Sequence, residues 1–412
     1  GSGGAGSGGR ISVVYDSTTY TGGITAIGFQ AYGGSTGIED GAAGTVFYQL
    51  VGTDVNGHLI VNNTGNVYSE MATTALVDTQ IFDSITTDTV GIVEIPATMN
   101  YQLPQENAAA TGTSVDYRIA VSGNFSLPGG RTELDIDNGG FLEWRQLSPL
   151  SIPGAGTTLN VNAGGVLTHT HNASSRGYVL QVIVDDMSIN GTGKVDLDGR
   201  GYSAGYGPGV SGVITEGPSH GGLGGFVTSA TSRAGAVYDT AENPTDLGSA
   251  GFNNGFGAAG GGTFIAQVTN LHLNGGTITA KGLASTASPT SQCGAGGAGG
   301  TISINADTID GSAATLRVNG GNGVTDGACS GAGGGGGRIA IKYNTDSYTG
   351  TLVAQVSAAN VTAYGGSMTF GTTVYPAAAG TIFIYDKGTC ASCGAIYVDN
   401  GSTNPYQQLV ET

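Results

Sequence analysis

The sequence predicts an all-β chain wound as an elongated parallel β-helix, a solenoid with glycine-rich excursion loops. Three observations carry this. Glycine supplies 77 of the 412 residues, while charged residues are 10% and hydrophobic residues 39%. That composition is too apolar for a disordered tail and too glycine-rich for helices, where each glycine costs about 1 kcal/mol relative to alanine. Apolar residues alternate with small polar ones in short runs, as in Leu134 and Ile136 or Leu159 and Val161, the period-2 signature of a strand with one buried face. These runs end at Gly or Asn-Gly, which accept tight corners, and they recur at fixed steps too short for separate domains.

The organisation follows in order along the chain. Residues 1–67 form a β module that is repeated at the other end. GGAGSGGRISVVYDSTTYTGG from Gly3 matches GAGGGGGRIAIKYNTDSYTGT from Gly331. Arg10 maps on Arg338, Tyr20 on Tyr348, Tyr32 on Tyr364, Gly44 on Gly380 and Gly57 on Gly394. Residues 68–130 carry a weaker pattern and read as individual strands of an irregular β segment. Residues 131–330 read as β-helix coils with Gly-rich loops. Leu134 aligns with Leu159 and Gly140 with Gly165, a step of 25, while Gly262, Gly300 and Gly337 open phrases 38 and 37 residues apart. MSINGTGKVDLDG from Met187 also matches LHLNGGTITAKG from Leu271. Residues 331–412 are the second copy of the N-terminal module. A coil cannot bury its own apolar face, so stability is expected from stacking on neighbours. Runs such as GAGGAGG and GAGGGGG have the composition of flexible linkers, yet their fixed place in each repeat favours ordered, polyproline-II-like packing over mobile loops.

Charge limits the partners. Thirteen Lys and Arg against thirty Asp and Glu give a net charge of −17, which repels phosphate backbones and anionic membranes and leaves no role with nucleic acid. No apolar run approaches the roughly 18 residues of a membrane helix, so no membrane insertion is expected. The chain opens on GSGGAGSGG without an initiator Met, which reads as a processed or excised piece. Cys293 and Cys329 each precede a glycine run and lie 36 residues apart, close to the local step, so stacking predicts a disulfide between them and an oxidising compartment. Cys390 and Cys393 form a lone CxxC without a nearby His; a local disulfide is favoured over zinc or a thioredoxin-like site.

Phrases such as GKVDLDGRGYSAGYGPG, PSHGGLGG, PTDLGSAG, GAAGGGTFIAQV, GGTISI and VNGGNG resemble those repeated through very large secreted bacterial surface proteins of the glycine-rich parallel β-helix, adhesin type. The resemblance covers most of residues 131–402, and the first 65 through their likeness to the other end. It implies an extracellular or cell-surface, adhesin-like or structural role with no assigned chemistry.

Residues able to carry chemistry are sparse. His169 and His171 lie two apart, a spacing that would chelate a metal on one strand face and that outward polar alternation explains equally. Asp196 and Asp198, followed by Arg200 and Tyr202, form the densest polar cluster, with Asp185 and Asp186 one strand earlier and His220 in a following loop. Paired carboxylates of this kind serve calcium, sugars or hydrolysis, although Asp135 and Asp137 repeat the same outward pair in a plain strand. The glycine runs lack the GK[ST] of a phosphate loop, and HExxH is absent. Sequons at Asn62, Asn124, Asn172, Asn190, Asn360 and Asn400 suit an exposed secreted surface.

The leading expectation is a non-enzymatic extracellular rod or filament protein that self-associates end to end, with surface glycans as possible ligands and no cofactor. The alternative is a carbohydrate-active β-helix, a polysaccharide lyase or depolymerase, with Asp196, Asp198, Arg200 and His220 along its groove. A Ca²⁺-dependent binding module is the third reading.

Overall fold

A computed structural model describes residues 5–17, 28–35, 40–64, 72–104, 112–227, 235–252, 256–286, 293–326, 329–389, 394–401 and 408–411. Cys390, Cys393 and Tyr20 lie outside the described residues. The chain is nearly all β, with parallel sheets; one short helix, Leu352–Ser357, is described, its first turn capped by Thr351, whose side chain accepts from the Ala354 N–H. Two compact units divide it: residues 1–145 with 152–167, and residues 146–151 with 168–412.

From Thr74 onward the period-2 runs of the first unit pair in parallel, each on a run about one step away. Leu134 sits beside Leu159 and Ile136 beside Val161, the step of 25 that the sequence predicts. All four are fully buried, so each side chain is worth about 1.5–3 kcal/mol relative to exposure. The corners repeat too. Gly139 and Gly164 hold positive φ of 88° and 84°, and the next residues, Gly140 and Gly165, donate to Asp137 O and Asn162 O, both at 2.8 Å. The weakly patterned stretch 68–130 follows the same rule. Val93–Ile95 pairs in parallel with Arg118–Val121, and Asn100–Gln102 with Asn124–Ser126, 24 to 26 residues apart. Its few glycines and its Pro-limited strand ends hide from the sequence a stacking that buried Ile92, Val93, Ile95 and Ile119 sustain.

In the second unit three long strands, Leu180–Asn190, Thr263–Asn274 and Thr301–Ser312, stack in parallel and in register. The phrase match from Met187 to Leu271 is a direct pair in this ladder. Leu180, Phe264, Ile302, Ile339 and Ile382 then form one apolar column through five strands, none more than 2% exposed. A second ladder runs through Lys194–Asp196, Thr277–Thr279, Thr315–Arg317 and Val361–Thr362. Outer faces carry polar ladders. Asn270 Nδ2 donates to Asp186 Oδ1 at 2.7 Å, Asn274 to Asn190 at 3.1 Å, and His272 meets Asp310 at 2.7 Å.

The glycine runs are ordered, and their backbone bonds turn with a period of three residues. In the run after Cys293, Gly296 and Gly299 donate to Ala332 O and Gly335 O of the next run. Gly297 and Gly300 donate to Leu283 O and Ala280 O of the preceding segment, and Ala298 donates to Ser249 O of the excursion that runs between Lys194–Asp196 and Thr263–Asn274. Three directions in three residues is the symmetry of a polyproline-II helix, here satisfied by neighbours instead of water. Contacts between runs follow the same period. A Cβ at Gly294, Gly297 or Gly300 would overlap the carbonyls of Phe256, Ala259 or Gly262; one at Gly331, Gly334 or Gly337 would overlap those of Gly294, Gly297 or Gly300. Glycine is therefore dictated by close approach of backbones. The Cys293–Cys329 disulfide, with Cα atoms 5.7 Å apart, ties the starts of two such runs. Among the described residues no helix is long and apolar enough to cross a membrane.

Candidate functional site

The acidic cluster expected at a groove is spent on its own strand and the one stacked upon it. Val195 and Leu197 point inward and are fully buried, which turns Asp196 and Asp198 outward. Asp196 Oδ1 accepts the Asp198 N–H at 3.2 Å, and its carbonyl accepts Thr168 Oγ1 at 2.5 Å. Asp198 receives the Lys281 N–H at 2.7 Å and its Nζ at 3.0 Å. Lys281 follows the strand Thr277–Thr279 that pairs with Lys194–Asp196, so the pair clamps adjacent strands. Arg200 presents its carbonyl to the Asn172 side chain at 3.0 Å. Tyr202 is buried and its hydroxyl donates to Asp246 Oδ1 at 3.2 Å; burial, then the Asp246 charge, pushes that phenol up to about 12. The plain-strand pair behaves alike. Asp135 and Asp137 each accept an amide at 2.8 Å, from Asn160 and Asn162.

His220 does not join this cluster. It is fully buried, with Nδ1 on Gly299 O at 2.7 Å, its ring 4.7 Å from that of Tyr238, and Nε2 3.7 Å from Asp239 Oδ2. Burial pushes the Asp239 carboxyl up, but the nearby His220 ring and hydrogen bonds from the N–H groups of Asp246, Thr240 and Thr245 outweigh it and hold the group down at about 2. Arg338, 6% exposed, covers the same corner by donating twice to Tyr238 O, at 3.0 and 2.9 Å. This is a clasp between the excursion and the glycine runs.

The histidine pair is not an outward chelate. His169 is fully buried, its Nδ1 donating to Thr170 O at 2.7 Å and its Nε2 accepting the Thr263 N–H at 3.0 Å. Burial drives its pKa down to about 3, so the ring is a neutral acceptor for the start of a strand 94 residues on. His171 has Gly199 O and Ser203 Oγ on its two nitrogens, at 2.9 and 2.7 Å. Two sequons are also interior. Asn172 is fully buried and satisfies the N–H groups of Gly177 and Tyr178 and two carbonyls, and Asn400, 8% exposed, bridges the Gly365 N–H and Ala377 O. These two serve as backbone staples, which their sequence context does not reveal.

Among the described residues, one group missed by the sequence reading has donors suited to a cation: Asp54, His58 and Asp83, with one ligand atom each within 4.8 Å of one another. His58 Nδ1 meets Ser84 Oγ at 2.7 Å, leaving Nε2 toward Asp54 Oδ2 at 3.5 Å. Both carboxylates already order their turns. Asp54 takes the Leu50 N–H at 2.6 Å, and Asp83 those of Asn56 and Gly57 at 2.9 Å. The D-x₃-H spacing was its signal in the sequence, without a third donor nearby to single it out.

The duplicated module repeats its strand pairing over the described residues. Arg10–Tyr15 pairs in parallel with Thr45–Leu50, which pairs antiparallel with His58–Val61; Arg338–Tyr343, Thr381–Asp386 and Gly394–Val398 repeat that arrangement. The Thr45 N–H reaches Gly9 O and the Thr381 N–H reaches Gly337 O, both at 3.1 Å. Asn63 bridges the Gly33 N–H and Gly41 O, as Asn400 does Gly365 and Ala377. Surroundings differ. Arg338–Tyr343 is buried beside Thr301–Asn305, whereas Arg10–Tyr15 alternates between exposed and half-buried and forms the edge of its sheet among the described residues.

Comparison of the chain with protein-family models, with curated proteins and with solved structures returned no match.

Proposed function

We propose that the chain is an extracellular structural or adhesive protein whose coils wind as a parallel β-helix and continue along one axis into a rod or filament. The observation that carries this reading is the in-register stacking of like strands, Leu180–Asn190 on Thr263–Asn274 on Thr301–Ser312, tied by glycine runs that bond in three directions. Such a design resists bending because every rung is bonded to both neighbours by backbone groups. The Cys293–Cys329 disulfide supports an oxidising, extracellular setting, and the net charge of −17 keeps a long surface soluble. A module that recurs at both ends supports self-association end to end.

Carbohydrate-active chemistry gains no support, because Asp198 is paired with Lys281 and His220 packs against Gly299. Surface glycans remain the class of ligand that an adhesive role would engage. Negative-stain imaging of the purified chain tests the reading. Rods or filaments that lengthen with concentration are expected; monodisperse compact particles at high concentration would overturn it.

A further inference from the structure

Among the described residues, two glycines near the N-terminus have no neighbour that requires the missing side chain. A Cβ at Gly6 or Gly9 would meet nothing within 4 Å. Their counterparts 328 residues on, Gly334 and Gly337, have no such freedom, because a Cβ there would overlap the carbonyls of Gly297 and Gly300. Gly8 and Gly336 give the internal control. Both need glycine in both copies, against Ala31 and Ala363 respectively, which are themselves counterparts. The copies also differ at Ala5, which stands where Gly333 lies against Gly366, but Gly6 and Gly9, three residues apart, mark the face that in the second copy receives the preceding run.

The strand that follows tells the same story independently. Arg338 donates its N–H to Gly300 O at 2.9 Å, and Ile339 to Ile341 lie beside Ile302 to Ile304. Arg10–Tyr15 presents the same edge without such a partner among the described residues. Arg10 is exposed where Arg338 is buried, and Val14 is 58% exposed. An open parallel edge flanked by unexplained glycines is a seat shaped for one kind of strand.

We infer that Gly6, Gly9 and Arg10–Tyr15 seat a preceding copy of this sequence joined in tandem, one that ends at Ser330 and so leaves free the Gly297–Gly300 run and the strand Thr301–Asn305, which residues 334–343 cover in the present chain. Residue 3 of one copy stands where residue 331 of the other would stand, and the joint repeats every 328 residues. This rests on the rod reading and names its contact. Ser7 is the exception within the face-bearing run. It stands where Gly335 lies against Gly222 of the excursion, so the proposed joint requires Gly222 of the preceding copy to sit farther out.

The test is a tandem chain in which Ser330 of a first copy is followed directly by Gly3 of a second. Hydrogen exchange of the peptide spanning Gly9 to Tyr15, identical in both copies, is expected to split into two equal populations. One exchanges as in the 412-residue chain and the other at least about 100-fold more slowly, as expected where a ladder opens only with the fold. Gly9→Ala is expected to leave the melting temperature of the 412-residue chain unchanged and to lower that of the tandem chain when placed in its second copy. A single fast population, a Gly9→Ala without effect in both chains, or a tandem chain that does not fold would overturn the inference. Compact particles in images of the 412-residue chain would instead sink the rod reading, with the exchange result standing apart from it.

Discussion

At His169 a single proton decides whether a strand starts correctly. The neutral ring accepts the Thr263 N–H, and its pKa lies near 3 against an ordinary 6.5 because burial opposes its charge. Between these values the unfolded chain binds a proton that the folded chain refuses. Stability therefore falls as pH drops from about 6.5 toward 3, and this contribution is level above and below that window. His169→Gln keeps an acceptor near the position of Nε2 and removes the titration, so the variant's urea midpoint should fall less steeply over the same window; identical slopes for the two proteins would refute the assignment. Gly297→Ala tests the glycine runs. Its Cβ would overlap the Ala259 carbonyl, an overpacking against backbone expected to cost about 1–3 kcal/mol. A variant as stable as the parent in denaturant titration would mean that the run is loose.

At the scale of elements, the disulfide and the apolar column secure the second unit in different ways. Cys293 and Cys329 close a loop of 36 residues, for which chain entropy gives about 3–4 kcal/mol. Reduction, or Cys329→Ser with Cys293→Ser, should lower stability by about that amount in denaturant titration while the strand signal in circular dichroism persists. In the first unit, Leu134→Ala removes a fully buried side chain beside Leu159 and is expected to cost about 2–5 kcal/mol. Strand positions, corners and the 25, 37 and 38 steps were legible in the sequence because alternation and glycine placement are local. The parallel pairing of 68–130 was not, since its strands are three or four residues long and lack the marker glycines.

For the whole molecule the repeated module is the informative quantity. Its two copies agree in the order of three strands, in the buried Asn bridge and in glycines such as Gly8 and Gly336 or Gly44 and Gly380, and they differ at the face of Gly6 and Gly9, at Ala5 against Gly333 and at Gly41 against Ala377. Rod formation under negative stain and the split exchange pattern of the tandem chain are the outcomes expected at this scale. Asp198→Ala, which breaks the Lys281 clamp, is expected to release no sugar product from a polysaccharide panel and to alter stability alone.

Residue order by itself determined that the chain is all-β, where its corners fall, which two cysteines pair at 293 and 329, and that its ends are copies. Each follows from patterns within one step of the repeat. Tertiary structure decided the rest: that His169, His220, Asn172 and Asn400 lie inside, that the acidic pair faces Lys281, and that glycine runs bond in three directions. Those outcomes depend on partners such as Thr263 for His169 and Gly299 for His220, 94 and 79 residues away. A side chain's burial is set by whatever stacks on it, and stacking distance in this fold is longer than any local pattern can encode.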